Sequence, residues 1–255
     1  MNNILIYPTF VGRLGNNLFQ IAACIGYAKE NHCGWGVRKG YHDHGFGMFQ
    51  VDKFFPHLPE CHHQFRAYNE PYFYHQRIPW HTNGVRIVGF WQSLKYFIDA
   101  QDEVKKWLRL DYQKGYEGYT SIHVRLGDYV QHSGSFPPIT HEYVRKAIEH
   151  FPDGKFMVFS DDIKAVKRLF ANDLYDFTFE YSEGRNEFED MSVMASCGNH
   201  IISNSTLAWW SAYLGQNPDK KVVSPHHLNW FGINNPFRFD TFDLLPEEWI
   251  KIKFR

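Results

Sequence analysis

Residues 119–129 read YTSIHVRLGDY, and this stretch decides the fold class. The short apolar run at 121–124 has the length and composition of a buried strand, and it passes directly into a loop that carries Arg125 and Asp128. A helical pattern and a second apolar run, at 156–159, follow. Strands that alternate with helices predict a parallel sheet covered on both faces, with ligands bound at the carboxyl ends of its strands.

The same alternation extends on both sides of this stretch. On the carboxyl side we predict helices at 140–151, 163–170, around 191–194 and at 205–214, and strands at 177–180 and 201–202. On the amino side we predict a strand at 4–7, a helix at 18–25, a strand at 86–91, a helix at 104–108, and irregular loops with short helices at 34–80.

The predicted fold class is therefore α/β, built as two units with parallel sheets. A break in the pattern near 111–118 separates them, which gives an N-terminal domain at 1–114 and a C-terminal domain at 115–255, with the end of the chain packing back on the first.

Composition excludes several classes of protein. With 44% hydrophobic residues in 255, the chain can bury a large core, and 27 basic against 28 acidic residues lack the cationic excess of a nucleic-acid binder. The four cysteines are few, no apolar leader precedes the first strand, and no apolar run reaches the length of a membrane span. We expect a reduced cytoplasmic protein, with any membrane contact peripheral.

The loop at 12–17, Gly-Arg-Leu-Gly-Asn-Asn, lies where the first strand turns into the first helix. Its glycines, including Gly15, would let the backbone approach a ligand, and free N–H groups there would point at an anion. The alternative is a tight turn with Asn16 as the helix cap. The chain contains neither GxGxxG nor GxxxxGK[ST], so a dehydrogenase and a P-loop enzyme are both disfavoured.

At the end of the predicted strand at 121–124, His123 and Arg125 share one face by the two-residue period. A guanidinium at this position can fork onto phosphate oxygens, and Asp128 can orient it or act on a substrate hydroxyl. The alternative is a structural pair between Arg125 and Asp128 that closes the loop.

Two more strand ends carry polar residues. Asp161 and Asp162 follow the strand at 156–159, where carboxylates can bind a metal, cap a helix, or accept hydrogen bonds from a guanine or a ribose. Asn204, Ser205 and Thr206 follow the strand at 201–202 and open a helix whose amino terminus favours phosphate.

Fifteen histidines raise the question of a metal site. The run Cys61-His62-His63 and the pair His42 and His44 have no recognised ligand spacing, and His141-Glu142 lacks the second histidine of HExxH. We predict surface or core histidines and no metal.

Several segments, in the same order along the chain, resemble the α-1,2-fucosyltransferase family, glycosyltransferase family 11. The matching patterns are G-x-L-G-N-Q-L-F-Q at 12–20, G-[YF]-x-Q-S-x-K-Y-F at 89–97, H-x-R-x-G-D-Y at 123–129, F-S-D-D-I at 159–163, and D-x-x-x-M-x-x-C-x-x-x-I-I-x-N-S-[ST]-x-x-W-W at 190–210. Asn17 replaces the usual Gln, Leu126 stands where many members have a second Arg, and the chain is shorter than typical bacterial members.

The resemblance implies a GT-B fold of two facing Rossmann-like domains, with the donor bound mainly by the second, the acceptor mainly by the first, and no metal or other cofactor. It implies that Arg125 grips the donor diphosphate beside Ser205 and Thr206, and that Asp161 or Asp162 contacts the guanosine with His123. The remaining implied positions are Arg13, Gly15, Asn16 and Asn204 on the donor side, and Trp91, Gln92 and Tyr96, for which core packing is the alternative, on the acceptor side.

The implied reaction is the inverting transfer of fucose from GDP-fucose to a hydroxyl of a glycan acceptor, such as the 2-OH of a galactoside. Asp128 is the favoured base, and the β-phosphate oxygen is the alternative proton acceptor. Two other functions stay open: transfer of another GDP-linked deoxyhexose or formation of another linkage, and carbohydrate binding without catalysis, which the 18% aromatic content suggests.

Overall fold

The computed structural model of the chain describes residues 3–39, 51–170, 177, 179–235 and 239–254. The fold is α/β with two sheets whose described strand pairs are all parallel, as predicted. The chain divides into two compact units, residues 1–109 with 240–246, and residues 110–239 with 247–255.

The first unit contains a four-stranded sheet in the order β2-β1-β4-β3. Its elements are β1 Ile4–Thr9, α1 Leu14–Glu30, β2 Gly34–Trp35, α2 Val51–Phe54, β3 Ala67–Asn69, β4 Val85–Val88 and α3 Gln101–Trp107. Helix α1 is buried along nearly its whole length, because residues such as Leu18, Ile21 and Ile25 are apolar on every turn.

The segment 240–246 belongs to this first unit although it lies far along the chain. Asp243 Oδ2 accepts a hydrogen bond from the His75 amide at 2.9 Å, and the Asp243 carbonyl accepts one from the Ser93 hydroxyl at 3.2 Å. The returning segment therefore completes the hydrogen bonding of two loops of the first unit.

Two predictions for this unit are corrected. The strand expected at 86–91 ends at Val88, because Gly89 has φ +149° and Trp91 has φ +56°, which are incompatible with an extended ladder. The region 34–80 contains strands β2 and β3 in addition to loops, and its part at 40–50, with His42 and His44, lies outside the described residues.

The second unit contains a six-stranded sheet in the order β10-β9-β8-β5-β6-β7. Its elements are β5 Tyr119–Val124, α4 Gly127–Gln131, α5 His141–Ile148, β6 Lys155–Ser160, α6 Ile163–Phe170, β7 Phe179–Tyr181, α7 Glu187–Ser196, β8 Asn199–Ile201, α8 Thr206–Tyr213, β9 Val222–Pro225 and β10 Ile250–Ile252. The central strands β5 and β6 are almost wholly buried, as their continuous apolar sequences require in a parallel sheet.

The strand order of this sheet contains one reversal of direction. Counted from β7, the order is that of a doubly wound sheet, in which the chain runs outward in one direction from β5 and then in the other from β8. The order reverses between β5 and β8, which are hydrogen-bonded neighbours. In such sheets, ligands bind in the crevice beyond the carboxyl ends of the two strands at the reversal.

The predicted elements of this unit are largely confirmed, with four corrections. The helix expected at 140–151 ends at Ile148, although Thr140 caps it by accepting the Tyr143 amide. The strand expected at 177–180 is β7, at 179–181, and residue 178 lies outside the described set. The loop after Arg125 contains the single turn of α4, and strands β9 and β10 had no prediction.

Two buried hydrogen bonds between histidine and serine join β5 to β8 and the residues that follow it. Ser121 Oγ lies 2.9 Å from His200 Nδ1, and His123 Nδ1 lies 2.8 Å from Ser203 Oγ. Burial lowers the pKa of both histidines to about 3, and Arg125 and Lys220 contribute to His123 and His200 respectively. Both imidazoles are therefore neutral near pH 7.

These histidines predict that stability decreases in acid. Below about pH 6.5 these histidines are protonated in the unfolded chain but stay neutral in the folded chain. As the pH falls, each therefore lowers the free energy of unfolding by about 1.4 kcal/mol per pH unit until its folded pKa is reached. His200→Asn keeps a polar partner for Ser121 and should flatten the fall of Tm between pH 6.5 and 4.5.

The measurement is the thermal unfolding midpoint across this pH range. His150→Asn, which replaces an exposed histidine of the same unit, is the matched control for the loss of a histidine as such. An unchanged slope in His200→Asn would show that His200 takes up its proton in the folded state.

Candidate functional site

Three strand ends of the second sheet bring the candidate residues to one edge. Arg125 follows β5 directly, Asp161 follows β6, and Ser203 and Asn204 follow β8. Because parallel strands present their carboxyl ends at the same edge, these residues share one edge of the sheet, with Arg125, Ser203 and Asn204 at the reversal between β5 and β8.

The guanidinium of Arg125 is held between two carboxylates. Its Nη2 lies 2.6 Å from Asp128 Oδ1, and its Nη1 lies 3.1 Å from Asp161 Oδ2. The Arg125 side chain is 15% exposed, and its guanidinium carbon lies 5.4 Å from the centre of the Tyr129 ring. The loop-closing pair between Arg125 and Asp128 is thus present, and the Asp161 carboxylate further fixes the orientation of the guanidinium.

The paired arginine keeps the capacity to bind an anion. A guanidinium has five N–H donors, so two ion pairs do not exhaust it. The Asp128 side chain is 55% exposed, whereas the Asp161 side chain is 25% exposed, so Asp128 is the more solvent-accessible of the two partners.

The two adjacent aspartates have different contacts. Asp161 Oδ1 accepts the Leu126 amide at 2.9 Å, so this carboxylate ties the end of β6 to the loop after β5. Asp162 Oδ1 accepts the Ala165 amide at 3.0 Å in the first turn of α6, which is the capping role.

The approach of Asp161 to the loop requires glycine at position 127. A Cβ atom built on Gly127 would lie 2.1 Å from Asp161 Oδ2. Any larger residue would therefore push the carboxylate away from Arg125 and from the Leu126 amide.

His123 lies beneath this cluster rather than at its surface. It is 5% exposed and is hydrogen-bonded to Ser203. Because it is neutral and enclosed, it supports the strand end that carries Arg125. Little of the His123 surface is exposed for the direct guanosine contact that the resemblance implies.

The residues after β8 divide into a buried anchor and a helix start. Asn204 is 2% exposed, and its amide nitrogen donates to the carbonyls of Pro137 and Trp230 at 3.0 and 2.9 Å. Ser205 is 8% exposed and is the N-cap residue of α8 without a side-chain cap bond, and Thr206 is partly exposed at the first position of that helix. Ser205 and Thr206 thus remain the candidates for contact with an anion.

The loop at 12–17 of the first unit differs from the capping alternative. The N-cap residue of α1 is Arg13, which is exposed and makes no side-chain cap bond, so Asn16 is not the cap. Gly15 is buried in the first turn. Asn16 Oδ1 instead accepts from Gln92 Nε2 at 2.9 Å, which ties the carboxyl end of β4 to the start of α1.

The predicted acceptor-side residues lie mostly in the interior of the first unit. Trp91 has no exposed surface, as its core-packing alternative expects. Tyr96 is 8% exposed, and its hydroxyl accepts the Gln76 amide at 3.1 Å. Gln92 is 4% exposed, and its side-chain amide donates a hydrogen bond to Asn16 rather than facing solvent.

Sequence reasoning did not single out Glu70, which follows β3. Its two carboxylate oxygens accept the amides of Phe90 and Trp91 at 2.7 and 2.9 Å, at the turn with positive φ angles. Burial raises the pKa of Glu70 to about 8, against the opposing effect of the two amides. Only the turn after β4 reveals this role, and no local pattern at position 70 signals it.

Asp190 is a second carboxylate whose chemistry the sequence left unassigned, although it opens the motif at 190–210. Its Oδ1 accepts the Ser182 hydroxyl at 2.5 Å, just beyond the end of β7, and burial raises its pKa to about 6. The Asp190 side chain is therefore an acid of raised pKa at the edge of the second sheet where the strands end.

Two further properties bear on the site. Among the described residues, no cluster of three or more His, Cys, Asp or Glu side chains has the geometry to hold a metal ion. In the same part of the chain, no helix combines the length and apolar character needed to cross a membrane.

Comparison with known proteins gives a family and two relatives. The sequence model described as Glycosyl transferase family 11 matches residues 49–252. The O-antigen biosynthesis glycosyltransferase WbnK of Escherichia coli is 37% identical over 140 residues, which are 52% of this chain and 44% of that protein. An alpha-1,2-colitosyltransferase of Escherichia coli is 26% identical over 299 aligned positions, covering 98% of this chain and 99% of that protein. The match thus spans less than half of the first relative and nearly all of the second.

The geometry around Gly127 predicts a coupled loss of stability. Gly127→Ala should displace Asp161 and free the Leu126 amide, which removes a charge-assisted hydrogen bond worth about 1.5–3 kcal/mol. Asp161→Ala removes the same contacts, so the double variant should be no less stable than Asp161→Ala alone.

Thermal midpoints of the three variants measure this coupling. Gly118→Ala is the matched control, because a Cβ atom at Gly118 would meet no atom within 4 Å. Additive losses from Gly127→Ala and Asp161→Ala would contradict the contact between them.

Proposed function

Because the chain belongs to glycosyl transferase family 11, we propose that it transfers fucose from GDP-fucose to a hydroxyl of a glycan, with the 2-OH of a galactoside as acceptor and inversion at the anomeric carbon. The proposal includes a GT-B arrangement in which the second unit binds GDP-fucose and the first binds the acceptor. It also includes a cytoplasmic location and no requirement for a metal.

The observation that carries the proposal is the position of Arg125. Its guanidinium lies at the carboxyl edge of the second sheet, where the strand order reverses, and two carboxylates orient it. Doubly wound sheets bind nucleotides at this place. Ser205 and Thr206, at the amino terminus of α8, supply hydroxyls and amides that suit a phosphate.

The reaction requires stabilisation of two developing charges. The anomeric carbon loses GDP through a transition state with oxocarbenium character, so negative charge grows on the diphosphate. A preoriented guanidinium stabilises that charge more strongly in the transition state than in the ground state. In this proposal the guanidinium stabilises the diphosphate charge without a bound metal ion.

The acceptor hydroxyl must also lose its proton. Asp128 is the candidate base because its carboxylate is exposed beside Arg125. The β-phosphate oxygen of the departing GDP is the alternative acceptor of that proton. The two routes differ in the activity that Asp128→Asn retains, since only the first route loses its base.

A different GDP-linked sugar is the second candidate donor. The relative that aligns over 98% of this chain is named for transfer of colitose rather than fucose. Its name also contains the 1,2 linkage, which supports the choice of the 2-OH for the acceptor in both candidates.

The function is tested by incubating the protein with GDP-fucose and a panel of galactosides, in parallel with other GDP-sugars, and assigning the product linkage by NMR. We expect a 1,2-linked product and turnover that survives EDTA. Loss of activity restored by Mn²⁺ or Mg²⁺ would overturn the metal-independent site. Calorimetry with GDP separates an enzyme from a carbohydrate-binding protein, which has no need to bind GDP.

Arg125→Lys should abolish most activity in a folded protein. A lysine ammonium cannot reproduce the planar grip on two oxygens, and loss of one such donor typically costs about 3–4 kcal/mol of transition-state stabilisation. We therefore expect kcat to fall by at least about 100-fold, with a smaller change in Tm.

The matched control is Arg145→Lys, which changes an exposed arginine on α5 and should retain activity. If Arg125 only braces the loop, Arg125→Lys and Asp128→Asn should both lower Tm, and activity should follow stability. A near-normal kcat in folded Arg125→Lys would refute the catalytic assignment.

A further inference from the structure

A second polar site lies within the first unit and includes residues that precede the loop at 12–17. It is a cavity of about 390 Å³ at the carboxyl end of β1, lined by Tyr7, Thr9, Arg38, Gln64, Phe65 and Arg86, with Pro8 and Phe10. None of these residues lies in the motifs quoted for the family resemblance, and the reaction proposed above uses none of them.

Two basic side chains lie at this cavity. Arg38 and Arg86 both line it, and none of the described residues that line it is acidic. Arg86 projects from β4 on the same face as Tyr7, its register partner on β1. Two guanidinium groups at one cavity favour an anion by simple electrostatics.

Among the described residues, the partner of the Arg86 guanidinium is a hydroxyl and not a carboxylate. It is partly buried, and its Nη1 donates to the Thr9 hydroxyl at 2.9 Å. In the described part of the chain, no carboxylate lies within 4.0 Å of its guanidinium nitrogens. A hydroxyl leaves the charge of Arg86 uncompensated, and a partly buried charge without a counter-ion is unfavourable.

The rest of the lining suits a sugar. The rings of Tyr7 and Phe65 lie 5.6 Å apart and form an apolar wall, and Gln64 brings an amide to the same cavity. Sites for small polar ligands combine apolar walls with a few polar groups that fix orientation.

We propose that this cavity binds an anionic group, a carboxylate or a phosphate, carried by the acceptor glycan. Arg86 forms the main contact, because a guanidinium matches the paired oxygens of both groups. The inference rests on the proposed function, since it assigns the acceptor to the first unit. It adds that the enzyme selects an acidic acceptor over a neutral one.

The test uses three acceptors that share the galactoside 2-OH: methyl β-galactoside, its 6-carboxylate (the galacturonide) and its 6-phosphate. We expect the two charged acceptors to have a lower KM than the neutral one, and their order identifies the preferred anion. In Arg86→Gln, KM for the preferred charged acceptor should rise about tenfold or more, with KM for the neutral acceptor unchanged.

Arg66→Gln is the matched control, because Arg66 is exposed and does not line the cavity. Arg86→Lys keeps the charge but loses the two-point contact, so its KM should lie between those of the wild type and Arg86→Gln. Equal KM changes for charged and neutral acceptors would overturn the proposal, as would the absence of any preference for a charged acceptor.

A direct measurement separates this proposal from the proposed function. The Nε–H resonance of Arg86, assigned by its loss in Arg86→Gln, should shift when inorganic phosphate or sodium glucuronate is added to the protein alone. This shift is expected even if GDP-fucose proves to be the wrong donor. A resonance that neither anion perturbs would overturn the cavity as an anion site, whatever the transferase assay gives.

Discussion

The pairing of β5 with both β6 and β8 is the constraint on which the candidate site depends. These strands are far apart in the sequence, yet their parallel register brings the ends of three polar loops to one edge. Asp161 reaches Arg125 from the end of β6, so this register adds a second carboxylate to the pair that Arg125 makes with Asp128 in its own loop. The missing side chain of Gly127 allows that approach, so topology and a single glycine together orient the guanidinium.

Burial has opposite effects on the titratable groups near the two sheet edges. The enclosed His123 and His200 are neutral because a charged imidazole would lose its hydration. The carboxyls of Glu70 and Asp190 instead have raised pKa values, for the same physical reason applied to an acid. Arg125 offsets this cost by pairing with two carboxylates, whereas the partner of Arg86 among the described residues is the hydroxyl of Thr9.

The sequence predicted the second unit better than the first. Continuous apolar runs and helical spacing located β5, β6 and α8, and the polar residues after them were identified from the rule that parallel strands end at one edge. Strands β2 and β3 were missed because two or three residues are too few to show a period. The burial of Trp91 could not be predicted, because an aromatic residue after a strand looks the same in sequence whether it faces a ligand or the core. Glu70 could not be found, since its role depends on a backbone turn that lies about twenty positions further along the chain.

The return of residues 240–246 to the first unit has a consequence for protein engineering. A fragment ending near residue 109 would lack Asp243 and would leave the His75 amide without its acceptor. The chain is therefore not a pair of modules joined by one linker. Chimaeras that exchange one unit with that of a relative should transfer the segment 240–246 together with the amino-terminal half. A crossover made at a single junction would combine each half with a segment that evolved against a different neighbour.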